Sequence, residues 1–262
     1  MKVQLIKESL KDLGLKDVVF FEHLHSTNSY AKDNNVSSDN LIITAYQYEG
    51  RGRFDRIWES IENNNLTFTL IKSFEIDSRD VFIINFYVSY FVLKAIKDIF
   101  PDYLQKNFSL KWPNDMLLNG KKFAGILSEL VNLDSKNKKF IIGVGINVNQ
   151  KEFSSSIKNK ATSLRLETGI IFELEDLLIR IVKEFYENIE LIKDTQKILS
   201  LWKSNTNLIG KNVKFRKTGL DAEIQGTIID IAKDGGIVIE TTDERNTKKN
   251  TTYYTGEISF IY

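Results

Sequence analysis

The sequence contains no cysteine among its 262 residues. This absence excludes disulfide bonds, thiolate nucleophiles and zinc sites with cysteine ligands, and it is consistent with the cytoplasm, where we expect the protein to be located. Histidine and proline occur only twice each. The spacing of His23 and His25 would place both on one strand face. No cluster of carboxylates accompanies them, so we predict no metal site formed by protein ligands.

A strong charge excess and a long hydrophobic run are also missing. The 36 Lys and Arg residues nearly balance 35 Asp and Glu residues, which gives a net charge of +1. Proteins that coat nucleic acid usually carry a marked basic excess, so this class is disfavoured, although a local basic loop remains compatible with the composition. Residues 1–8 lack the apolar segment of a signal peptide. The longest apolar run, residues 81–92, is interrupted by Asn85 and Ser89, and it predicts a buried helix and no membrane span.

What the chain does contain is ample material for a core, because 42% of its residues are hydrophobic, including 17 Phe and 10 Tyr. Its length predicts one large or two modest domains. Hydrophobic periodicity predicts helices over 2–13, 78–100, 174–192 and 195–203, and strands over 18–21, 41–47, 66–71, 108–112, 116–118, 123–131 and 140–149. Short strands over 213–215, 222–231, 236–240 and 252–260 predict a small all-β unit, a five-stranded barrel. We place the domain boundary between residues 208 and 209.

A glycine- and arginine-rich segment, Gly50–Trp58, follows the second predicted strand. We call it the arginine loop. Its sequence is Gly50-Arg51-Gly52-Arg53-Phe54-Asp55-Arg56-Ile57-Trp58. Glycine lets a backbone approach a ligand closely, and arginine offers a planar fork of donors for phosphate or carboxylate. The segment therefore predicts a loop that closes over an anion; the alternative is a solvated surface turn.

One of the two prolines lies in the segment Lys111-Trp112-Pro113-Asn114-Asp115. Proline removes a hydrogen bond from a strand ladder, so it marks a bulge or an edge. We predict a kinked strand that directs Lys111 and Asn114 into a cleft. The alternative is a turn in which Asn and Asp serve as caps.

Two further segments carry small residues beside polar ones. Lys122 stands at the start of a predicted strand, close to Gly125, where it could reach a buried anion. In the segment 143–149, Gly143, Gly145 and Asn147 share one strand face and aliphatic residues occupy the other. This pattern is not a dinucleotide-binding motif, because no helix opens there and Val148 occupies the last glycine position. Glycines on one face favour a flat group packed against the backbone. The polar residues 150–160 that follow predict a mobile loop.

Taken together, these segments resemble the motifs of the biotin–protein ligases. The resemblance is strong from residue 20 to residue 164 and extends through the C-terminal β unit. It implies an α+β fold, with a class II synthetase-like catalytic domain of mixed sheet and packed helices (1–208) and an SH3-like barrel (209–262). The matching motifs, in chain order, are Ser26-Thr27-Asn28, Gln47 with Gly50-Arg51-Gly52-Arg53, Lys111-Trp112-Pro113-Asn114-Asp115, Lys122-Phe123-Ala124-Gly125-Ile126-Leu127 with Glu129, Gly143-Val144-Gly145-Ile146-Asn147 and Ala161-Thr162-Ser163-Leu164.

The resemblance implies a reaction in two steps. Biotin and ATP form biotinyl-5′-AMP and pyrophosphate, with Mg²⁺ bridging the phosphates, and a lysine of a biotin carboxyl carrier protein domain then takes the biotinyl group and releases AMP. By motif position, the catalytic residues are Arg53, Lys111, Asp115 and Lys122. The residues implied for biotin are Ser26, Thr27, Asn28, Gln47, Gly50, Arg51, Arg53, Lys122, Gly125 and Gly143. Those implied for ATP or the adenylate are Arg51, Arg53, Arg56, Trp58, Lys111, Asn114 and Asn147.

Two residues of the arginine loop depart from the family pattern. Phe54 stands where the family usually has a cation, and Asp55 stands where it usually has glycine. Aspartate adopts the left-handed backbone conformation less freely than glycine and adds a carboxylate near the bound anion. We therefore predict that biotinyl-AMP leaves faster than it would with glycine at position 55.

Some members of the family carry an N-terminal winged helix that binds DNA. Only 25 residues precede Ser26, so we expect no such domain and no specific DNA binding. The sequence leaves monomer and homodimer open. Three alternatives to a biotin–protein ligase are a lipoate–protein ligase of the same fold, a nucleic-acid-binding module and a catalytically inactive relative.

Overall fold

The computed structural model describes residues 1–132, 136–218, 223–243 and 245–260, except for the side chain of Asp55. A large sheet contains seven strands. They are β1 (Asp17–Leu24), β2 (Asn40–Gln47), β3 (Asn65–Glu75), β4 (Phe108–Lys111), β5 (Asp115–Leu118), β6 (Lys121–Leu130) and β7 (Asn137–Asn147). Their spatial order is β1-β2-β3-β7-β6-β5-β4. Because β1 and β2 are parallel and the other neighbours are antiparallel, the sheet is mixed, as predicted.

Helices cover both faces of this sheet. The described helices are α1 (Val3–Leu10), α2 (Thr27–Asp33), α3 (Ile83–Lys97), α4 (Asp102–Gln105), α5 (Leu164–Thr168), α6 (Leu174–Glu187) and α7 (Thr195–Lys203). The helices α1, α3, α6 and α7 contribute to the main hydrophobic core. The short helix α2 connects β1 to β2 and packs against β2, β3 and β7, where Ala31 joins a smaller apolar cluster with Ile141.

Strand β7 shows why the two faces differ. Ile142, Val144 and Ile146 belong to the main core, whereas Gly143 and Gly145 point to the face that carries α2. Side chains alternate across a strand, so the predicted separation of aliphatic residues from glycines is confirmed. The glycines carry no side chain on the α2 face. The aliphatic residues fix β7 to the main core on the other face.

A second sheet is formed by the C-terminal part of the chain. Its strands are β8 (Asn212–Arg216), β9 (Glu223–Ile231), β10 (Ile237–Thr242), β11 (Lys248–Tyr253) and β12 (Glu257–Phe260). All described neighbours are antiparallel, in the order β11-β10-β9-β8-β12. The α+β fold class with a small C-terminal five-stranded unit is thus confirmed. The SH3-like form of this unit and the boundary after residue 208 stay predictions.

Trp112 joins the two sheets. Its indole is 2% exposed and Nε1 donates a hydrogen bond to the Gly235 carbonyl oxygen at 2.9 Å. Its ring lies 6.5 Å from that of Phe215 on β8. The turn between β4 and β5 that carries Trp112 is therefore held against the second sheet.

Several predicted element boundaries were wrong for local reasons. The expected helix 78–100 is a 3₁₀ turn, Ser78–Asp80, followed by α3, because the Asp77 carboxylate caps Arg79 N and the chain restarts as a helix only at Ile83. The expected helix 174–192 ends at Glu187 and continues as a 3₁₀ turn, Ile189–Lys193. The expected strand 252–260 is divided between β11 and β12 by Gly256, whose φ of 152° interrupts the strand. Ala222, predicted as the start of a strand, lies outside the described residues.

The predicted kinked strand at Pro113 is also corrected. Lys111 pairs with Asp115 across a tight turn between β4 and β5, and the Trp112–Pro113 peptide is cis. By contrast, the hairpin expected at Asn119-Gly120 is confirmed. Both residues have positive φ, 51° and 78°, as a two-residue hairpin turn with the right-handed strand twist requires.

Candidate active site

A cleft of about 630 Å³ lies on the α2 face of the large sheet, a size typical of small-molecule sites. Its wall combines residues from the arginine loop, the turn after β4, strands β6 and β7, the segment 153–161 and strand β12. The structure brings together every residue that was assigned to catalysis, biotin or ATP from the sequence, except Gly50. Gly50 lies behind the wall, where an added Cβ would be 2.5 Å from the Trp58 carbonyl oxygen.

Cations outnumber carboxylates among the described residues that line the cleft. Six positively charged side chains face three negatively charged ones. The cations are Arg51, Arg53, Arg56, Lys111, Lys122 and Lys160, and the carboxylates are Glu59, Asp115 and Glu257. A cleft with this excess is suited to a ligand that carries several negative charges.

The arginine loop is a narrow hairpin. Trp58 N donates to Gly50 O at 2.8 Å, and Gly52 N donates to Arg56 O at 2.7 Å. Its tip, Arg53–Asp55, is a 3₁₀ turn in which Phe54 has φ 57° and ψ 44°. The left-handed position described in this loop is thus Phe54, a bulky residue for which this conformation is uncommon. The Asp55 side chain lies outside the described residues, so its effect on an adenylate stays a prediction.

Two arginines of the loop are oriented by partners outside it. Arg53 Nη1 donates to Asn114 Oδ1 at 3.2 Å, and Asn114 Nδ2 donates to Ile126 O at 2.6 Å, so strand β6 fixes the pair. Burial lowers the pKa of Arg53 while Asp115 and Glu257 raise it, and a guanidinium in this setting keeps its charge. Arg56 forms an ion pair with Glu257 on β12, which connects the loop to the second sheet.

The two lysines occupy different environments. Lys122 Nζ is 2.6 Å from Asp115 Oδ1 and 5.7 Å from the centre of the Trp58 ring. Lys111 is largely desolvated: its Nζ lies 5.4 Å from the Phe260 ring, and this burial lowers its pKa, an effect that Asp115 opposes. Gly125 makes room for the side chain of Lys122, because an added Cβ would lie 3.0 Å from Nζ.

Asn28, Thr69, Thr27 and Gln47 form a buried polar network beside the cleft, which we call the polar wall. Three oxygen–oxygen contacts follow one another: Asn28 Oδ1 to Thr69 Oγ1 at 2.7 Å, Thr69 Oγ1 to Thr27 Oγ1 at 2.7 Å, and Thr27 Oγ1 to Gln47 Oε1 at 3.0 Å. Gln47 Oε1 also accepts from Thr27 N at 2.7 Å. Only the two threonine hydroxyl hydrogens are available for the three contacts. One of the three oxygen–oxygen contacts therefore has no hydrogen between its two oxygens and is not a hydrogen bond.

The protein's own side chains cover the two glycines on the floor of the cleft. An added Cβ on Gly143 would lie 2.3 Å from Asn28 Oδ1, and one on Gly145 would lie 2.5 Å from Trp58 Cε2. The flat group that packs on Gly145 is thus the protein's own indole. Trp58 Nε1 is buried and has no hydrogen-bond partner among the described residues.

Three predicted contact residues also stabilise the local structure. Asn147 Nδ2 donates to Thr162 O at 3.1 Å, which holds the segment after residue 160 against β7. Lys122 N donates to Lys160 O at 2.8 Å, so the same segment is attached to β6. Ser26 caps α2 by accepting from Ser29 N at 3.4 Å while it lines the cleft.

Among the residues in or beside the site that were not assigned a role from the sequence are Thr69, Glu129, Glu257 and Phe260. Thr69 had a signal, because a hydroxyl residue on an otherwise apolar strand must find a buried partner. Glu257 and Phe260 reach the cleft only because the second sheet packs beside it. Nothing in their local sequence indicates that contact.

Comparison with known proteins identifies the family. Residues 20–147 match the model of the biotin/lipoate A/B protein ligase family, and residues 208–261 match that of the biotin protein ligase C-terminal domain. The bifunctional ligase/repressor BirA of Bacillus subtilis (strain 168) is 30% identical over 251 residues, which cover 91% of this chain and 75% of that protein. The chain belongs to the biotin–protein ligase family.

Other members of the biotin–protein ligase family show the same extent of similarity. BirA of Escherichia coli (strain K12) is 28% identical over 244 residues, covering 91% of this chain and 74% of that protein. The biotin protein ligase of Aquifex aeolicus, solved in complex with biotin and ATP, superposes with a TM-score of 0.76 at 27% identity. The match covers 94% of this chain and 100% of that one. Among the described residues of the chain, no helix is long and apolar enough to cross a membrane.

Proposed function

We propose that this member of the biotin–protein ligase family is an ATP-dependent biotin ligase that works through biotinyl-5′-AMP. In the first step a biotin carboxylate oxygen forms a bond to the α-phosphorus of ATP, and the bond to pyrophosphate breaks. In the second step the amine of a lysine on a biotin carboxyl carrier protein domain attacks the acyl carbon, AMP leaves and the amine loses a proton. The chain contributes binding, orientation and charge to both steps.

The observation that carries the proposal is the missing hydrogen in the polar wall. Thr69 is fully buried and does not line the cleft, whereas Thr27 and Gln47 do. Asn28 also lines the cleft, so a ligand can supply the missing hydrogen either at Asn28 Oδ1 or at the contact between Thr27 Oγ1 and Gln47 Oε1. An N–H of the biotin ureido ring is such a donor. The dithiolane ring of lipoate has no N–H, so a lipoate ligase is disfavoured on the same ground.

The cationic side of the cleft suits the reacting groups. A carboxylate that approaches a phosphate is repelled unless cations screen both anions, and preorganised charge of this kind is usually the largest catalytic contribution. We assign Arg53 and Lys122 to the carboxylate and the α-phosphate, because both line the cleft, and Asp115 to orienting Lys122, with which it is paired. We assign Lys111, Asn114 and Trp58 to the nucleotide.

Mg²⁺ would have to be held mainly by the nucleotide. The described residues contain no group of three or more His, Cys, Asp or Glu side chains arranged for a metal ion. Asp115 and Glu257 are already paired with Lys122 and Arg56. Mg²⁺ commonly binds through substrate phosphates with few protein ligands, which agrees with this arrangement. A cytoplasmic location and the absence of specific DNA binding stay predictions.

Pyrophosphate release tests the proposal. The purified protein is incubated with ATP and Mg²⁺, and with biotin, lipoate or neither. We expect release with biotin alone, accompanied by a protein-bound biotinyl-AMP that mass spectrometry detects. Release that depends on lipoate, or no biotin dependence at all, would overturn it. A second incubation with an isolated biotin carboxyl carrier domain tests the transfer step through the mass gained by that domain.

A further inference from the structure

Glu129, near the end of β6, has different partners for its two carboxylate oxygens. Oε2 accepts a hydrogen bond from Asn28 Nδ2 at 3.0 Å. Oε1 lies 3.8 Å from Arg51 Nη1 and 3.7 Å from Lys32 Nζ. The side chain is 21% exposed and does not line the cleft. One carboxylate thus connects the polar wall of the cleft to the first arginine of the arginine loop.

The contact with Asn28 fixes which way its amide faces. The two Nδ2 hydrogens are directed to Leu127 O and Glu129 Oε2, both at 3.0 Å. Both of these groups only accept hydrogen bonds. Oδ1 must therefore face Thr69 Oγ1, and the network of Asn28, Thr69, Thr27 and Gln47 remains one hydrogen short. If the amide were reversed, Nδ2 would donate to Thr69 and fill that shortage from within, so the ligand N–H would no longer be required.

The second contact of Glu129, with Arg51, restrains the start of the arginine loop. Arg51 is 44% exposed, and its other described partner is Ser29 Oγ, a long contact at 3.5 Å. Without a carboxylate beside it, the guanidinium would be free to leave the cleft together with the start of the arginine loop. The ion pair is partly exposed, so its loss should have a modest effect.

We propose that Glu129 is a positioning residue that sets the hydrogen-bonding direction of the polar wall through Asn28 and restrains the arginine loop through Arg51. The role rests on the proposed function, because the wall is taken to receive a ureido N–H and the loop to cover the adenylate. The contact with Asn28 predicts an effect on biotin affinity, and the contact with Arg51 predicts a separate effect on the release of biotinyl-AMP.

Two substitutions separate them. Glu129→Gln keeps an acceptor for Asn28 but removes the charge beside Arg51. Glu129→Leu removes both. We expect the biotin dissociation constant, measured by calorimetry, to rise less than threefold in Glu129→Gln, which keeps an acceptor for Asn28, and at least tenfold in Glu129→Leu, because Leu leaves a buried Asn28 N–H without a partner. The release rate of preformed biotinyl-AMP should rise about two- to fivefold in both, the range expected for a partly exposed ion pair.

Glu184 on α6 provides a matched control. It is 20% exposed and accepts from Lys94 Nζ at 2.8 Å and Asn188 Nδ2 at 3.3 Å, but it is remote from the cleft. Glu184→Gln should change thermal stability by a similar amount and leave biotin affinity and adenylate release unchanged. Because Gln is close to Glu in shape, the adenylate-release measurement on Glu129→Gln tests the contact with Arg51 even if Glu129→Leu does not fold.

Three results would overturn the role of Glu129. They are equal losses of biotin affinity in the Gln and Leu variants, unchanged adenylate release in both, or the same changes in Glu184→Gln. Failure of the proposed function would look different, since the unaltered protein would then bind no biotin and release no pyrophosphate.

Discussion

Gly143 provides the sharpest test of how the floor of the cleft is built. In Gly143→Ala the new methyl carbon would lie 2.3 Å from Asn28 Oδ1, whereas ordinary contacts begin near 3.4 Å. Asn28 would have to move by about 1 Å. It is 3% exposed and is held by hydrogen bonds of 2.7 Å to Thr69 and 3.0 Å to Leu127 and Glu129. A shift of about 1 Å exceeds what bonds of this length tolerate.

The magnitude follows from two contributions. Overpacking a buried site costs about 1–3 kcal/mol. A buried amide that loses a partner adds about 1–3 kcal/mol. We expect Gly143→Ala to lower the free energy of unfolding by about 2–6 kcal/mol and to weaken biotin binding, since the displaced Asn28 disturbs the polar wall.

Gly145→Ala is the matched comparison, because it adds the same methyl two residues along the same face of β7. Its contact is Trp58 Cε2 at 2.5 Å, but that indole is only partly buried and can swing outward. We expect a loss below about 1.5 kcal/mol, the upper end for well-tolerated changes. Urea unfolding and calorimetric titration with biotin measure both quantities. Equal destabilisation by the two variants, or a Gly143→Ala protein within 1 kcal/mol of the parent, would refute the reasoning.

Three further predictions concern charge. Burial lowers the pKa of Lys111, so its charge is lost at a lower pH than that of an exposed lysine, and kcat/KM for ATP should begin to fall at a correspondingly lower pH on the alkaline side. Lys111→Arg should move that fall to higher pH. A pH profile that does not move would contradict the assignment of Lys111. Lys122→Ala should abolish pyrophosphate release, and retained turnover would remove Lys122 from the catalytic residues. Asp55→Gly should slow the dissociation of biotinyl-AMP, and an unchanged dissociation rate would show that the carboxylate is not the cause.

The sequence was sufficient to predict residues whose chemistry is local. The arginine loop, the turn at Asn119-Gly120 and the two faces of β7 each depend on neighbours within a few positions, and glycine or arginine in such a pattern has few other uses. Their convergence on one cleft was implied by a family resemblance and not by periodicity. Local patterns do not encode which strands become neighbours.

Other features depended on contacts that local patterns cannot show. Gly145 was expected to receive a flat ligand, but the group that packs there belongs to Trp58, 87 positions earlier in the numbering. Phe54, and not its neighbour, has the left-handed conformation described in the arginine loop, because the hairpin closes between Gly52 and Arg56. Glu257 approaches Arg56 through the packing of one sheet beside another. In each case tertiary contacts decided the outcome.

The contribution of β12 to the cleft has a consequence for protein synthesis. The arginine loop leaves the ribosome early, yet its partner Glu257 and the ring of Phe260 beside Lys111 belong to the strand that follows all other described strands. At about 5–20 residues per second, the loop exists for roughly 10–40 s before that strand is made. During this interval a nascent chain lacks one wall of the cleft. If the proposed adenylation is correct, we expect a chain truncated before β12 to form the reactive acyl phosphate inefficiently.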